Sequence, residues 1–143
     1  KKVLPKYIHS FPINKNEIRD AILANKSNLK KITTIVHLEI RKKMDMFLKK
    51  NINKKIVILD IPLLLENKIN KKNDILVFVQ SKKIDILKKL KKRKNFDLKL
   101  LEKFKDIQLP PDYKKKKSQF IIKNNFTNKS VNNSIKKILK DIL

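Results

Sequence analysis

Asp60, Pro62 and Glu66 follow directly on an apolar run, Ile56-Val-Ile-Leu59. An open α/β sheet hands polar groups to a ligand crevice in this order, just beyond the carboxyl ends of its strands. The run lacks polar alternation, as expected of a parallel strand covered on both faces, and Pro62 would stop its ladder. A core strand followed by an apolar loop fits the same residues, so context must decide. Two further sets of residues invite chemistry. His37 and Arg41 lie one helical turn apart and share a face, although a lone histidine on an apolar stripe is usually packed or capping. Lys88, Lys89, Lys91, Lys92 and Arg93 crowd the outer side of a short helical pattern, where Arg93 also suits a solvated helix-end cation favoured by the macrodipole.

The elements that would position these residues are readable from apolar spacing. Asn14 to Asn25 reads as a short helix with Ile18 and Ile22 on one face, and Asn25 to Asn28 breaks it. From Asn28 to about Lys50, Leu29, Ile32, Ile35, Val36, Ile40, Met44 and Phe47 recur at helical spacing. A strand is expected over 56–60, a polar turn over 66–73 and a second unalternating strand over 74–80. Ser81 is placed to cap a helix carrying Ile84, Leu87 and Leu90 inward. Asn95 breaks that helix, and Asp97 can cap another bearing Leu98, Leu101, Phe104 and Ile107, which Pro110-Pro111 closes. A third strand, Gln119 to Lys123, leads through Asn124-Asn125 to a terminal helix from Ser130. The order α-α-β-β-α-α-β-α implies an α/β fold: a parallel sheet with flanking helices and right-handed crossovers. The weakest link is the polar connection between the first two strands.

Composition narrows the function classes. The 143 residues suit one domain, and 41% apolar content is enough to bury a core. No apolar stretch is long enough to span a membrane, no secretory signal is visible, and the absence of cysteine excludes disulfides and thiolate metal sites. A cytoplasmic location is the default. The formal charge of +25 invites a nucleic-acid reading. Against it, the basicity is nearly all lysine, alongside abundant Asn and Ile, as AT-rich codons would impose. Phe78, Phe104 and Phe120 also sit in apolar segments and are not interleaved with lysines as stacking platforms. Average usage predicts about ten glycines in such a chain, yet there are none, so it holds no glycine-rich phosphate loop.

Taken in order, five blocks resemble the dephospho-CoA kinase family. They are Asp60-Ile-Pro-Leu-Leu-Leu-Glu-Asn67, the strand Ile75 to Gln80, the basic helix ending at Arg93, Gln108-Leu-Pro110 and Phe120-Ile-Ile-Lys-Asn124. Ile35-Val-His-Leu-Glu-Ile-Arg41 echoes a further family segment, and the similarity runs from about Asn14 onward. The resemblance implies a P-loop kinase of the nucleotide-kinase type with a helical lid, transferring the γ-phosphoryl of ATP to the ribose 3′-hydroxyl of dephospho-CoA. Such chemistry is mainly positioning and charge neutralisation. It further implies a single partial kinase domain: 1–54 as the helical acceptor region, 55–80 as core strands, 81–113 as the lid, and 114–143 as the last strand and helix.

On that resemblance, Arg93 and Lys89 would close over the triphosphate, with Arg93 at the family's lid arginine and Lys89 replacing an arginine one turn earlier. Asp60 would sit near Mg²⁺ and the phosphates, holding the metal through a water. Arg41, His37, Pro62, Leu63 and Glu66 would face the acceptor, and Asn124 the adenine, although an Asn there is also a turn former. The chain departs from the family pattern at Leu38 for Pro, Lys68 for Gly after Glu-Asn, Lys123 for Asp, and Phe126 for Gly. The family's N-terminal glycine-rich loop and the acidic segment supplying its base also find no counterpart. The expectation is therefore of an N-terminally incomplete kinase, inactive by itself. Two rivals stay open: a basic nucleic-acid-binding module, and a nucleotide kinase with another acceptor.

Overall fold

The computed structural model describes residues 3–143, which form two compact units. The first comprises the chain up to Ile69 together with Leu98–Ile107; the second comprises Asn70–Asp97 and Gln108–Leu143.

In the first unit, α1 (Lys15–Ala24) and α2 (Lys26–Lys50) are joined by the single residue Asn25. Its backbone N–H closes α1 on the Ala21 carbonyl, while its side-chain oxygen accepts from Ser27 N–H at 2.8 Å to open α2. One asparagine thus satisfies orphan groups at two helix ends. Asn28 is buried and donates from Nδ2 to the Ala21 carbonyl at 2.9 Å. The break expected over 25–28 is therefore one residue wide, and α2 begins at Lys26, two residues earlier than the expected start at Asn28.

The core here centres on Leu4, Ile8 and Ala21, with Tyr7, Ile18 and Ile32 packed around it. Leu4 and Ile8 come from a turn ahead of α1, closed by the Tyr7 and Ile8 N–H groups on the Leu4 carbonyl. Ala21 has no exposed surface, so the smallest helix-forming side chain lies where the packing is tightest. A polar clasp anchors the same segment. The Glu17 carboxylate accepts from the Ser10 hydroxyl at 2.7 Å and from the His9 and Ser10 N–H groups, while Ser10 Oγ accepts from Asn14 N–H at 2.9 Å. Asn14 in turn caps α1 through Asn16 N–H. The third helix of this unit, α4 (Leu98–Asp106), packs on α1.

The second unit is built on two parallel strands, β1 (Val77–Gln80) and β2 (Phe120–Lys123), with Val77 opposite Phe120. Gln119 lengthens the pairing, because its side-chain carbonyl accepts from Leu76 N–H at 2.7 Å and its own N–H donates to the Leu76 carbonyl. The helices are α3 (Lys83–Lys91), α5 (Pro111–Lys117) and α6 (Asn128–Ile142). Half-buried Val131, Ser134, Ile138 and Ile142 form one stripe of α6, which packs on β2. None of the described helices is long and apolar enough to cross a membrane.

The α/β class stands, with four corrections of detail. The strand expected over 56–60 does not form: no described residue supplies a ladder for it, and a strand exists only with its partner. Exposure alternates there, with Ile58 82% exposed and Val57 and Leu59 half-buried, so the run is not covered on both faces. Val77 and Val79 of β1 are likewise exposed on one face. Ser81 does not cap α3, whose N-cap residue is Lys82 without a side-chain bond. Finally, the strand expected over 74–80 pairs as β1 only over Val77–Gln80; the lysines at 114–117 lie in α5, which Pro111 opens and which these good helix formers continue.

Candidate substrate cleft

A cleft of about 500 Å³ lies within the first unit, a size that suits a small-molecule ligand. Along one wall α2 contributes Lys30, Thr33 and His37; across from it stand Leu63, Glu66 and Asn67, and the end of α4 adds Lys103 and Asp106.

The wall carrying Glu66 is a tight turn held by hydrogen bonds to its own main chain. Asn67 N–H and its side-chain Nδ2 both donate to the Leu63 carbonyl, at 3.1 and 2.7 Å. Beyond it, Lys68 N–H reaches the Leu65 carbonyl and Ile69 N–H the Leu64 carbonyl. These crossed bonds form a Schellman closure, which requires a left-handed residue at its C′ position and an apolar residue after it. Lys68 supplies the first at φ 49°, and buried Ile69 the second. Arg41 fastens this turn to α2 by donating from Nη2 to the Asn67 carbonyl at 3.1 Å. Lys103, from α4, donates to the Ile22 and Leu23 carbonyls at 3.1 and 3.0 Å and so caps the C-terminal end of α1.

The candidate residues sort as follows. His37, Leu63 and Glu66 line the cleft. Arg41 braces its wall through a main-chain carbonyl, and Pro62 is exposed where the turn begins. Asp60 is exposed, and among the described residues no three His, Asp or Glu side chains gather to hold a metal. A single carboxylate fits only a Mg²⁺ ion that keeps its waters and is held chiefly by phosphates.

Lys89, Arg93 and Asn124 belong to the second unit. Arg93 is exposed in the turn after α3, and its carbonyl accepts from Phe96 N–H at 3.1 Å. The Lys89 ammonium lies over the Phe126 ring, 5.3 Å from its centroid. Asn124 extends the β pairing through its N–H to the Gln80 carbonyl at 2.8 Å, and its side-chain oxygen accepts from Phe126 N–H at 2.7 Å. Its side chain is thus a turn former. Two site residues escape a reading of the sequence alone. Lys103 is one lysine among many, and Asn67 lies inside a recognised block with no signal that its carbonyl is the point of attachment.

These observations define an α/β protein with a ligand-sized cleft in one unit and, in the other, a pair of parallel strands and an exposed basic helix that follows the first of them. A family model for dephospho-CoA kinase matches residues 10–130. The chain belongs to the dephospho-CoA kinase family, whose members are ATP-dependent phosphotransferases. It is 29% identical over 143 residues to a curated dephospho-CoA kinase of Wolbachia pipientis wMel, covering 99% of this chain and 73% of that protein. It is 28% identical to the dephospho-CoA kinase of Wolbachia sp. subsp. Brugia malayi (strain TRS), with the same coverage. Lys68 and Phe126, two positions at which the resemblance led us to expect glycine, both have left-handed backbone, at φ 49° and 64°, a conformation that glycine adopts most readily.

Proposed function

We propose that the cleft of the first unit receives dephospho-CoA for transfer of the γ-phosphoryl group of ATP to its ribose 3′-hydroxyl. In that reaction the 3′-oxygen forms a bond to phosphorus, the bond from phosphorus to the β,γ-bridging oxygen breaks, and ADP and the hydroxyl proton leave. The observation that carries the reading is the convergence of His37, Leu63 and Glu66, from two segments of the family-matched region, on one ligand-sized cleft.

Each residue then has a role. His37 and Glu66 offer polar groups to the acceptor, Leu63 gives it an apolar surface, and Pro62 stiffens the start of the turn. Arg41 holds the turn in place. Lys89 and Arg93 place positive charge where negative charge spreads over the transferring phosphoryl group. Asn124 stands on the adenine side. Mg²⁺, carried by the nucleotide, neutralises phosphate charge when bound, and Asp60 would hold one of its waters. Small polar substrates and the absence of cysteine suit a cytoplasmic setting.

The test is calorimetric titration of dephospho-CoA into the 143-residue chain. One-to-one binding is expected, weakened about tenfold or more by Glu66→Ala if that carboxylate accepts a ligand hydrogen bond. Absence of dephospho-CoA binding, together with steep salt-dependent binding of DNA or RNA in a filter assay, would overturn the proposal in favour of a nucleic-acid module.

A further inference from the structure

Three lysines line the cleft of the first unit, and they are not equivalent. Lys103 is turned to the Ile22 and Leu23 carbonyls at 3.1 and 3.0 Å. Lys26 is paired with Asp106, its Nζ standing 3.5 Å from Oδ2. Lys30 lies one helical turn beyond Lys26 on the same side of α2, and its ammonium has no partner among the described residues. Thr33, next along the same wall, donates its hydroxyl to the Leu29 or Lys30 carbonyl and has no hydrogen left for a ligand. The groups are also sorted along the cleft. Lys26, Lys103 and Asp106 mark the end formed by α4, whereas Arg41 fastens the turn carrying Glu66 further along α2. His37 stands two turns from Lys30, about 10 Å by the rise of the helix. Lys30 is therefore the one lysine of the cleft whose charge is uncommitted, and it lies between the two ends.

We infer that Lys30 is the anion anchor of this cleft, its ammonium taking the diphosphate of the acceptor and so selecting a phosphorylated acceptor. The inference rests on the proposed acceptor role of the cleft and adds a specificity-determining residue to it. The diphosphate of dephospho-CoA lies between its adenosine and its pantetheine portions, so an anchor at Lys30 leaves the ribose to reach the end where Glu66 and His37 stand. A hydrogen bond from an ammonium to a phosphate oxygen is about twice as strong as one between neutral groups, and lysine offers three rotatable donors for it. Within a cleft the charge is also screened less than on an open helix face. Asp106 acts in the opposite sense, because its carboxylate holds Lys26 and repels a phosphate. That pair is exposed on both sides, so it contributes little to the fold and can open without disturbing it.

The test titrates dephospho-CoA at low and high salt into the 143-residue chain and into Lys30→Met, Lys30→Arg, Asp106→Asn and Lys49→Met. Lys49 is an exposed lysine of the same helix that does not line the cleft, and it controls for net charge. The Lys30 ammonium has no contact to lose, so Lys30→Met should melt with the parent, and lost affinity cannot then be blamed on unfolding. The expected result is about tenfold or more weaker binding in Lys30→Met at low salt, with a shallower dependence on salt than the parent shows. Lys30→Arg should keep most of the affinity, Asp106→Asn should bind at least as tightly as the parent, and Lys49→Met should behave as the parent does. Equal affinity and equal salt dependence in the parent and Lys30→Met would overturn the inference while leaving the cleft as the acceptor site. So would an equal loss in Lys49→Met, which would assign the effect to net charge, an equal loss in Lys30→Arg, or weaker binding in Asp106→Asn. Failure of the parent to bind dephospho-CoA would overturn the inference and the acceptor role together.

Discussion

The Arg41 guanidinium and the Asn67 carbonyl meet at 3.1 Å, linking the middle of α2 to the C-cap residue of a turn 26 positions away. The carbonyl belongs to the closing residue of the Schellman turn, whose own helical partners are exhausted. Arg41 therefore acts on the cleft through the backbone that carries Glu66. Arg41→Ala should lower stability by about 1 kcal/mol, the ordinary loss for one hydrogen bond, and should weaken dephospho-CoA binding by releasing the turn. Arg41→Lys, which can still donate to a single carbonyl, should recover much of both. Calorimetry on the two variants decides this: equal loss in Lys and Ala would mean that the guanidinium itself contacts the ligand.

Lys68 makes the opposite prediction. Its φ of 49° is forced by the crossed bonds from Lys68 N–H to Leu65 and from Ile69 N–H to Leu64. A residue with a Cβ costs about 1 kcal/mol in that conformation, whereas glycine adopts it freely. Lys68→Gly should raise the midpoint of chemical unfolding by an amount worth about 0.5–1 kcal/mol, after allowance for the greater freedom of glycine in the unfolded chain. A lower midpoint would show that the lysine side chain contributes more than its backbone loses.

Much of this architecture is legible in the sequence. The apolar stripe from Leu29 to Phe47 and the short runs at 77–80 and 120–123 carry their own periodicity or length. What fails to read is non-local. Ile56 to Asp60 has the composition of a strand, but composition does not provide a ladder partner. Leu4 and Ile8 look unremarkable, yet they are two of the three residues of the buried cluster that includes Ala21, in a segment that the Glu17 clasp anchors to α1. The cleft is legible in part, since His37, Leu63 and Glu66 lie in recognisable blocks. Arg41 and Lys103 serve it through carbonyls, and main-chain acceptors leave no trace in residue type.

The Glu17 clasp gives the fold a pH dependence with a definite sign. The hydrogen bond from the Ser10 hydroxyl, aided by the Ser10 and His9 N–H groups and the charge of His9, holds the carboxyl below its ordinary value, against a smaller opposing effect of desolvation. A carboxyl whose pKa is lowered by folding binds fewer protons in the folded chain, so its contribution is complete above the unfolded pKa and is lost as pH falls through the folded one. Thermal unfolding between pH 7 and pH 3 should therefore show the parent losing stability relative to Glu17→Gln toward acid. Curves that run parallel across that range would show that the clasp does not depend on the charge.

Lys103 offers the sharpest separation of scaffold from site. Two of the three donors of its ammonium are used on the Ile22 and Leu23 carbonyls at the end of α1, where a cation also meets the negative end of the helix dipole. At most one donor is left for the cleft that it lines. Lys103→Met keeps most of the stem and removes the charge, so it should destabilise the fold by about 1–2 kcal/mol, the range for hydrogen bonds to a charged group at a helix end. Its effect on dephospho-CoA affinity, measured by calorimetry well below the melting temperature, should be smaller than that of Glu66→Ala. Unchanged stability with a large loss of affinity would instead make Lys103 a ligand contact and leave the α1 carbonyls to solvent.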